Sequence, residues 1–335
     1  MLTMTSHDNI SISVVIPVYQ GDQTLPALIA ELEPFTHPSI SPEGHDYQVT
    51  EVLLVWDRGP GNSDQIIREL AHKYSFVKPV WLSRNFGQHA ATIAGMSSSG
   101  GEWIVTMDED GQQDPHFIPQ LLDCAYRERA QLVYGTPSNP PPHSRVRNAA
   151  SKATKKLFAQ SLANGGFAEF NSYRLLLGEI GRSVAAYTGA GVYLDVALSW
   201  VVADSTEYPV VARREGRVAN NYSYRKLASH FGRLIVSSGT KPLFFVSALG
   251  FTFFGVGFIA ILWIIFQRVR GEIIVAGWAS TFTALMLIGG SVLLGLGIIA
   301  QYVGAATNMS LGKPLYVVVR DPQRIFPPNE STQDK

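Results

Sequence analysis

Two carboxylates, Asp108 and Asp110, stand one residue apart in the sequence MDEDGQ, which covers residues 107–112. The apolar segment just before them, residues 101–106, predicts a short buried strand. If the backbone stays extended, alternate side chains point to the same side, so both carboxylates could reach one cation, directly or through water. Mg²⁺ is usually held by one or two carboxylates together with substrate phosphates, so the pair indicates a metal-dependent diphosphate site. An Asp-x-Asp triplet alone is a weak signal, because many such triplets are solvated turns.

The chain before this pair alternates predicted strands with predicted helices. The strands are expected at residues 11–18, 47–56, 77–82 and 101–106. Helices are expected at residues 24–32, at 64–74 and, after His89, through Met96. This order argues for an α/β fold with a mostly parallel sheet covered on both faces. Ligands of such sheets bind at the carboxyl ends of the strands. Polar clusters follow all four strands, at residues 19–22, 57–63, 84–89 and 108–112.

The segments after the pair complete the predicted domain. A helix is expected at 115–129, then a strand at 130–134, a proline-rich loop at 137–143, further segments at 169–177 and 185–200, and an edge strand at 207–211. Residues 139–168 contain no acid but carry Arg145, Arg147 and three lysines. This basic stretch is either a solvated helix face or a cradle for an anionic group beside the active site.

Composition excludes some classes of protein. The 335 residues leave room for roughly two domains. The formal net charge is zero and the isoelectric point is near 7.1, so no overall charge draws the chain to nucleic acid. A single cysteine, Cys124, excludes an internal disulfide framework and fits a reducing compartment. Residues 1–10 lack an apolar core of signal-peptide length.

A basic segment is followed by two uncharged stretches. Residues 213–241 hold seven basic residues and one acid, with apolar residues at helical spacing, which is typical of a helix in a membrane interface or of an ordinary surface helix. Residues 243–266 and 278–304 carry no charge. A helix of the first length covers roughly 36 Å, enough to cross a hydrocarbon core of about 30 Å. Two successive stretches favour two membrane spans over a buried helical hairpin.

The distribution of basic residues predicts the topology. More of them precede the first uncharged stretch than lie between the two, so the large domain and the C-terminus are expected in the cytoplasm. The expected division is a catalytic domain at 1–212, a basic juxtamembrane segment at 213–241, two transmembrane helices at 242–305 and a cytoplasmic tail at 306–335. The polar tail from Asp321 is expected to be loose.

Several motifs resemble a known family. SVVIPVYQ, the Asp57 turn, LSRNFGQHAA and MDEDGQQDP occur in the order seen in family 2 glycosyltransferases with a GT-A fold. A narrower resemblance comes from the SRNFGQ stretch, the basic region at 213–226, and two terminal spans followed by LGKPLYVVV. Together they resemble the polyprenyl-phosphate glycosyltransferases, the dolichyl-phosphate-mannose-synthase-like enzymes of bacteria. The resemblance implies transfer of a sugar from a nucleotide-sugar donor to a lipid phosphate at the inner membrane.

The resemblance also implies roles for individual residues. Asp108 and Asp110 would hold Mg²⁺ or Mn²⁺ and the diphosphate, with Gln112 close to the same cation. The implied donor-binding residues are Pro17, Tyr19, Asp57, Arg84, Asn85 and Asp108, and Asp57 would read the base. The candidates for the acceptor phosphate are Arg145, Arg147, Arg214 and Arg217. The chain departs from the family at Gln20-Gly21-Asp22, where relatives have an Asn-Glu run, at Trp56, at Gly111 and in its basic motif at 217–222.

The expected chemistry is a single displacement that inverts the anomeric carbon. A cation would neutralise the leaving diphosphate, and the acceptor is already an anionic phosphate, so a strong general base is not required. Arginines suit the alignment of two anions through bidentate contacts. Asp195, the third catalytic candidate, either faces the acceptor or caps a helix. His89 is either a base or a residue of the pocket wall.

Two other functions stay open from the sequence. The first is a glycosyltransferase that extends a lipid-linked or polysaccharide sugar. The second is an inactive, membrane-anchored protein that binds a nucleotide-sugar. The expected partners are a nucleotide-sugar, polyprenyl phosphate and the lipid bilayer, without nucleic acid. The sequence leaves open the sugar, the base, the prenol length and the oligomeric state, a homo-oligomer included.

Overall fold

The computed structural model describes residues 9–138, 171–189, 192–213, 266, 269–270 and 278–325. The chain divides into two compact units. The first consists of Met1–Ser223 together with Pro314–Lys335, and the second of Tyr224–Lys313. The first unit therefore contains both the N-terminal part of the chain and its C-terminal end.

A mixed sheet forms the centre of the first unit. Its described strands are β1 (Ile10–Val18), β2 (Ser39–Ile40), β3 (Asp46–Trp56), β4 (Val77–Leu82), β5 (Trp103–Thr106), β6 (Leu132–Pro137), β7 (Arg174–Leu177), β8 (Ser205–Val210) and β9 (Val318–Val319). Their order is β8-β6-β7-β5-β1-β3-β4-β9, and β2 pairs with β3. The β1–β3, β1–β5, β3–β4 and β6–β8 pairs are parallel, whereas β7 and β9 run antiparallel to their neighbours. The predicted α/β fold with a mostly parallel sheet is confirmed.

Helices cover both faces of this sheet. They are α1 (Leu25–Leu32), α2 (Ser63–Lys73), α3 (Gln88–Ser98), α4 (Ile118–Glu128), α5 (Gly178–Tyr187) and α6 (Leu194–Val201). Alternate residues of a strand point to opposite faces. In β1, Ile12, Val14 and Ile16 therefore join a core with α1, α2 and α4, whereas Val15 joins a second core with α3, α5 and α6.

The parallel pairing fixes the place of the polar clusters. Val18 at the end of β1 pairs with Trp56, and Trp56 pairs with Trp81 near the end of β4. Thr106 at the end of β5 pairs with Val15 of β1. The residues that follow these strands therefore emerge at one edge of the sheet, as predicted.

The tail was expected to be loose from Asp321, and this expectation is wrong for its first residues, 321–325. Val318 and Val319 form β9 against β4, and the N–H group of Ser83 donates to the carbonyl of Val317 at 2.9 Å. The guanidinium of Arg68 donates to both carboxylate oxygens of Asp321, at 2.9 to 3.1 Å. A short helix, α8 (Pro322–Ile325), follows. The apolar residues LYVVV therefore contain an edge strand of the sheet, and a partly buried ion pair holds the chain that follows it.

The second unit contains the long helix α7 (Trp278–Ser310). Of the predicted first span, residues 243–266, only residue 266 is described. Within the described residues, no helix has both the length and the apolar character that crossing a membrane requires. The predicted boundaries of the juxtamembrane and membrane segments stay predictions.

Candidate active site

Asp57 joins the ends of β3 and β4. This residue is 3% exposed, and its two carboxylate oxygens accept hydrogen bonds from the backbone N–H groups of Phe86 at 2.7 Å and Gly87 at 2.8 Å. Burial raises the pKa of Asp57, while the two N–H groups and Arg84 oppose that shift. In this conformation Asp57 fixes the turn that carries Arg84 and Asn85. Its contact with the nucleotide base stays a prediction.

The turn after β1 lies against the turn after β3. A Cβ added to Gly59 would come within 1.4 Å of the carbonyl oxygen of Tyr19, so only glycine fits there. Pro17 is buried in β1, whereas Tyr19 is 47% exposed. Arg84 and Asn85 are also exposed, and the Arg84 guanidinium carbon lies 4.2 Å from the centre of the Phe86 ring. These groups share the edge of the sheet at which Asp108 stands.

Asp108 is held by side chains from two other segments and from its own loop. Its Oδ1 accepts a hydrogen bond from Gln88 at 2.6 Å, and its Oδ2 accepts from Ser172 at 2.6 Å and from Gln113 at 3.2 Å. Burial raises the pKa of Asp108, and the negative charge of Asp110 raises it further, against the hydrogen bond from Ser172. The first carboxylate of the pair is therefore oriented by amide and hydroxyl donors before any ligand binds.

Asp110 is oriented by its own loop. Its Oδ1 accepts a hydrogen bond from the backbone N–H of Gln112 at 2.9 Å, and the carbonyl of Gln112 accepts from the N–H of Arg213 at 2.8 Å. In the described part of the chain, no three His, Cys, Asp or Glu side chains are grouped to hold a metal ion. The pair of carboxylates still fits Mg²⁺ or Mn²⁺, because these ions complete their coordination with substrate phosphates and water.

Asp195 takes part in a buried ion pair. It lies in the first turn of α6, is 2% exposed, and accepts hydrogen bonds from Arg174 at 2.8 Å and from the Tyr134 hydroxyl at 3.0 Å. Burial lowers the pKa of Arg174, but Asp195 together with Tyr134, Tyr193 and Asp108 outweighs that effect, and the net shift is upward. Tyr193 occupies the N-cap position of α6, and the Asp195 carboxylate accepts its own backbone N–H in the first turn, so a contribution of Asp195 to the start of the helix stays a prediction. A catalytic role stays a prediction, and the ion pair argues against it.

Comparison with known proteins identifies the family. The model of glycosyl transferase family 2 matches residues 13–182, just over half of the chain. The chain belongs to glycosyltransferase family 2. It is 28% identical to the undecaprenyl-phosphate 4-deoxy-4-formamido-L-arabinose transferase of Pseudomonas fluorescens, over 92% of this chain and 88% of that protein. It is 25% identical to a prophage bactoprenol glucosyl transferase homolog of Escherichia coli, over 92% of this chain and 98% of that protein.

The family 2 glycosyltransferase is also similar to a solved structure. It is the glucosyl-3-phosphoglycerate synthase from Mycobacterium tuberculosis in complex with phosphoglyceric acid, which is 17% identical with a TM-score of 0.47. The match covers 69% of this chain and 80% of that one. The prediction that the protein is a glycosyltransferase is confirmed by the family match.

The remaining predicted residues of the glycosyltransferase divide into two groups. His89 lies against Tyr193, with ring centroids 4.0 Å apart and an interplanar angle of 55°, and whether it acts as a base stays open. The acceptor candidates Arg145, Arg147, Arg214 and Arg217 lie outside the described residues. Their role stays a prediction.

Sequence reasoning did not assign several residues that build this site. Gln88, Gln113 and Ser172 orient Asp108, and Arg174 balances Asp195. Gln88 and Gln113 lie in the motifs LSRNFGQHAA and MDEDGQQDP, but the sequence does not indicate that their side chains bind Asp108. Arg174 offered a clearer signal, because a lone charge within the apolar sequence YRLLL must find a buried partner.

We expect Asp195→Asn to destabilise the protein. The substitution leaves the Arg174 guanidinium buried without a compensating charge, which costs about 3–5 kcal/mol. Urea unfolding should show this loss, whereas the exposed Asp204→Asn should unfold like the parent. The double variant Arg174→Gln with Asp195→Asn should recover part of the stability, because both charges are removed. A stable Asp195→Asn protein with at least a hundredfold lower kcat would instead identify Asp195 as a catalytic group.

Proposed function

We propose that the protein transfers a sugar from a nucleotide-sugar to a polyprenyl phosphate, undecaprenyl phosphate in bacteria, at the cytoplasmic face of the membrane. The reaction would serve the synthesis or modification of a cell-surface glycan. The relatives named for undecaprenyl-phosphate and bactoprenol substrates support this acceptor class.

The observation that carries the proposal is the attachment of Arg213. Its N–H group binds the carbonyl of Gln112, two residues after Asp110. Its guanidinium contacts Glu31 at 2.6 Å and Asp114 at 2.8 Å. The basic segment that begins here, with Arg214 as its next residue, therefore starts at the loop of the Asp-x-Asp pair. A cationic segment beside a diphosphate site suits a second anionic substrate.

The described residues support a transfer that needs no strong base. An oxygen of the acceptor phosphate would attack the anomeric carbon while the bond from that carbon to the donor diphosphate breaks, which inverts the configuration. Asp108 is held rigidly for this purpose by Gln88, Ser172 and Gln113. When bound, Mg²⁺ or Mn²⁺ would neutralise the charge that develops on the diphosphate. The turns after β1 and β3 would hold the nucleotide.

The chain re-enters the first unit after the second one, and this supports two membrane crossings. Residues on both sides of the second unit belong to the first unit, where β9 pairs with β4 and Asp321 binds Arg68. A folded unit cannot lie on two sides of a bilayer, so any crossings between its parts must be even in number. The uncharged stretches 243–266 and 278–304 are the segments proposed to cross. Large exposed apolar side chains along α7, among them Leu285, Val292 and Leu296, fit contact with lipid.

The reaction is tested by the product. Membranes containing the parent protein should move radiolabel from one member of a nucleotide-sugar panel into lipid that organic solvent extracts, when undecaprenyl phosphate and Mg²⁺ are added. Asp110→Asn should lower this transfer about a hundredfold or more, because the charge facing the diphosphate is lost. Label that enters only a polymer would favour the chain-extending reaction. A parent protein that binds the nucleotide-sugar without transferring it would contradict the proposal.

The acceptor site is tested by Arg214→Ala and Arg217→Ala. Loss of one charge-assisted phosphate contact costs about 1.5–3 kcal/mol, so the KM for undecaprenyl phosphate should rise about tenfold or more. Donor affinity, measured on the same preparations, should stay unchanged. Arg127→Ala, an exposed arginine at the end of α4, is the matched control. If both variants match the parent, the acceptor site must be sought at Arg145 and Arg147.

The proposed topology predicts the labelling of two tags. A reporter fused after Lys335 should be accessible from the cytoplasm, because the tail belongs to the catalytic unit. A tag inserted between Arg270 and Gly277 should be accessible from the other side, since one crossing separates it from each part of that unit. Accessibility of both tags from one side of sealed vesicles would refute the two-span proposal.

A further inference from the structure

Glu109, the residue between the two aspartates, binds a different part of the site. Its carboxylate accepts hydrogen bonds from the backbone N–H of Tyr19 at 3.1 Å and of Gln20 at 3.0 and 3.2 Å. Its own backbone carbonyl accepts from the Thr24 hydroxyl at 2.5 Å. Asp108, by contrast, is turned toward Gln88 and Ser172. The loop of the Asp-x-Asp pair is thus attached at its middle residue to the turn after β1.

The residue at position 21 is matched to this contact. A Cβ on Gly21 would lie 2.6 Å from Oε2 of Glu109 and 2.7 Å from Cγ of Leu25. Gly21 thereby leaves the space in which the carboxylate reaches the N–H groups of the turn. Thr24 stands at the N-cap position of α1 but makes no side-chain capping bond there. Its hydroxyl is used for the bond to Glu109 instead.

We propose that Glu109 is a positioning residue that couples the turn after β1 to Asp108 and Asp110, so that divalent cation and nucleoside diphosphate favour each other's binding. The turn carries Tyr19, at the edge where the nucleotide is proposed to lie, and the loop carries the metal carboxylates. Charge-assisted bonds to two successive N–H groups hold the two segments in one arrangement. A ligand that orders one segment therefore orders the other, which is a coupling of binding free energies. This inference rests on the proposed function only in taking the two aspartates as the cation and diphosphate site.

The coupling can be measured without any transfer reaction. Calorimetry on the full-length protein gives the Kd of UDP, with GDP in parallel, in the presence and absence of Mg²⁺, and the ratio of the two values measures the coupling. Glu109→Gln keeps the size of the side chain, but its amide NH₂ cannot accept the bond that one oxygen accepts now. We expect the ratio to fall about tenfold, because one charge-assisted bond is lost and the other weakened.

Gly21→Ala tests the same contact from the other side. The added methyl group should displace the end of the Glu109 side chain and lower the ratio as Glu109→Gln does. The double variant should show no further loss, because both changes remove one interaction.

Thr24→Val, which removes only the hydroxyl bond, should give a smaller change in the same direction and covers the case in which the other variants fold poorly. Glu69→Gln on the exposed face of α2 and Gly100→Ala, whose Cβ would meet nothing nearer than 3.6 Å, are the matched controls.

Three results would overturn the inference. Variants that keep the parent's ratio within twofold would show that the contact does not couple the ligands. A loss in Glu109→Gln that is absent from Gly21→Ala and Thr24→Val would assign Glu109 to the cation directly. Additive losses in the double variant would show two independent effects. If the protein instead couples the two ligands but forms no lipid-linked sugar, the proposed acceptor is wrong and the role of Glu109 stands.

Discussion

The parallel pairing of β1 with β3 and β5 is the constraint on which the site depends. Parallel strands end at the same edge, so the turns after β1, β3 and β5, which lie about 40 to 90 residues apart in the chain, are brought together there. The pairing buries Val14, Val15 and Ile16 on both faces of the sheet, and this burial stabilises the arrangement. Because the strands supply this stability, the polar turns at the edge can vary in sequence and bind ligands.

Carboxylates join these turns to one another. Asp57 binds the N–H groups of the turn after β4, Glu109 binds those of the turn after β1, and Asp195 neutralises Arg174 behind the site. A negative charge accepting backbone N–H groups makes stronger bonds than a neutral acceptor does. Asp110 differs from these residues, because its Oδ1 accepts the N–H of Gln112 in its own loop. Asp57, Glu109 and Asp195 thus hold other segments of the fold in place, whereas Asp108 and Asp110 are the acids proposed above to hold the cation.

The sequence predicted the sheet and the edge where the site lies, because short apolar segments and the polar clusters that follow them can be recognised from neighbouring residues alone. The strand at 77–82 was predicted to the residue, and the helices of the first half within about two residues. The use of each acid was not predictable in the same way. Asp57, Glu109 and Asp195 look alike in the sequence, and only the fold decides which N–H group or guanidinium each one meets. The edge strand β9 was missed because its partner lies more than two hundred residues earlier.

Two segments of the first unit that flank the second unit in sequence are hydrogen-bonded to loops of the candidate site. Before the second unit begins at Tyr224, the N–H of Arg213 donates to the carbonyl of Gln112 in the Asp-x-Asp loop. The chain returns through Val317, whose carbonyl accepts the N–H of Ser83 at the start of the turn that Asp57 holds. Arg213 is therefore bonded to the loop proposed for the cation, and Val317 to the turn proposed for the donor. If the acceptor is the membrane lipid proposed above, the segments on either side of the proposed anchor are those bonded to the two elements proposed to hold the reacting groups.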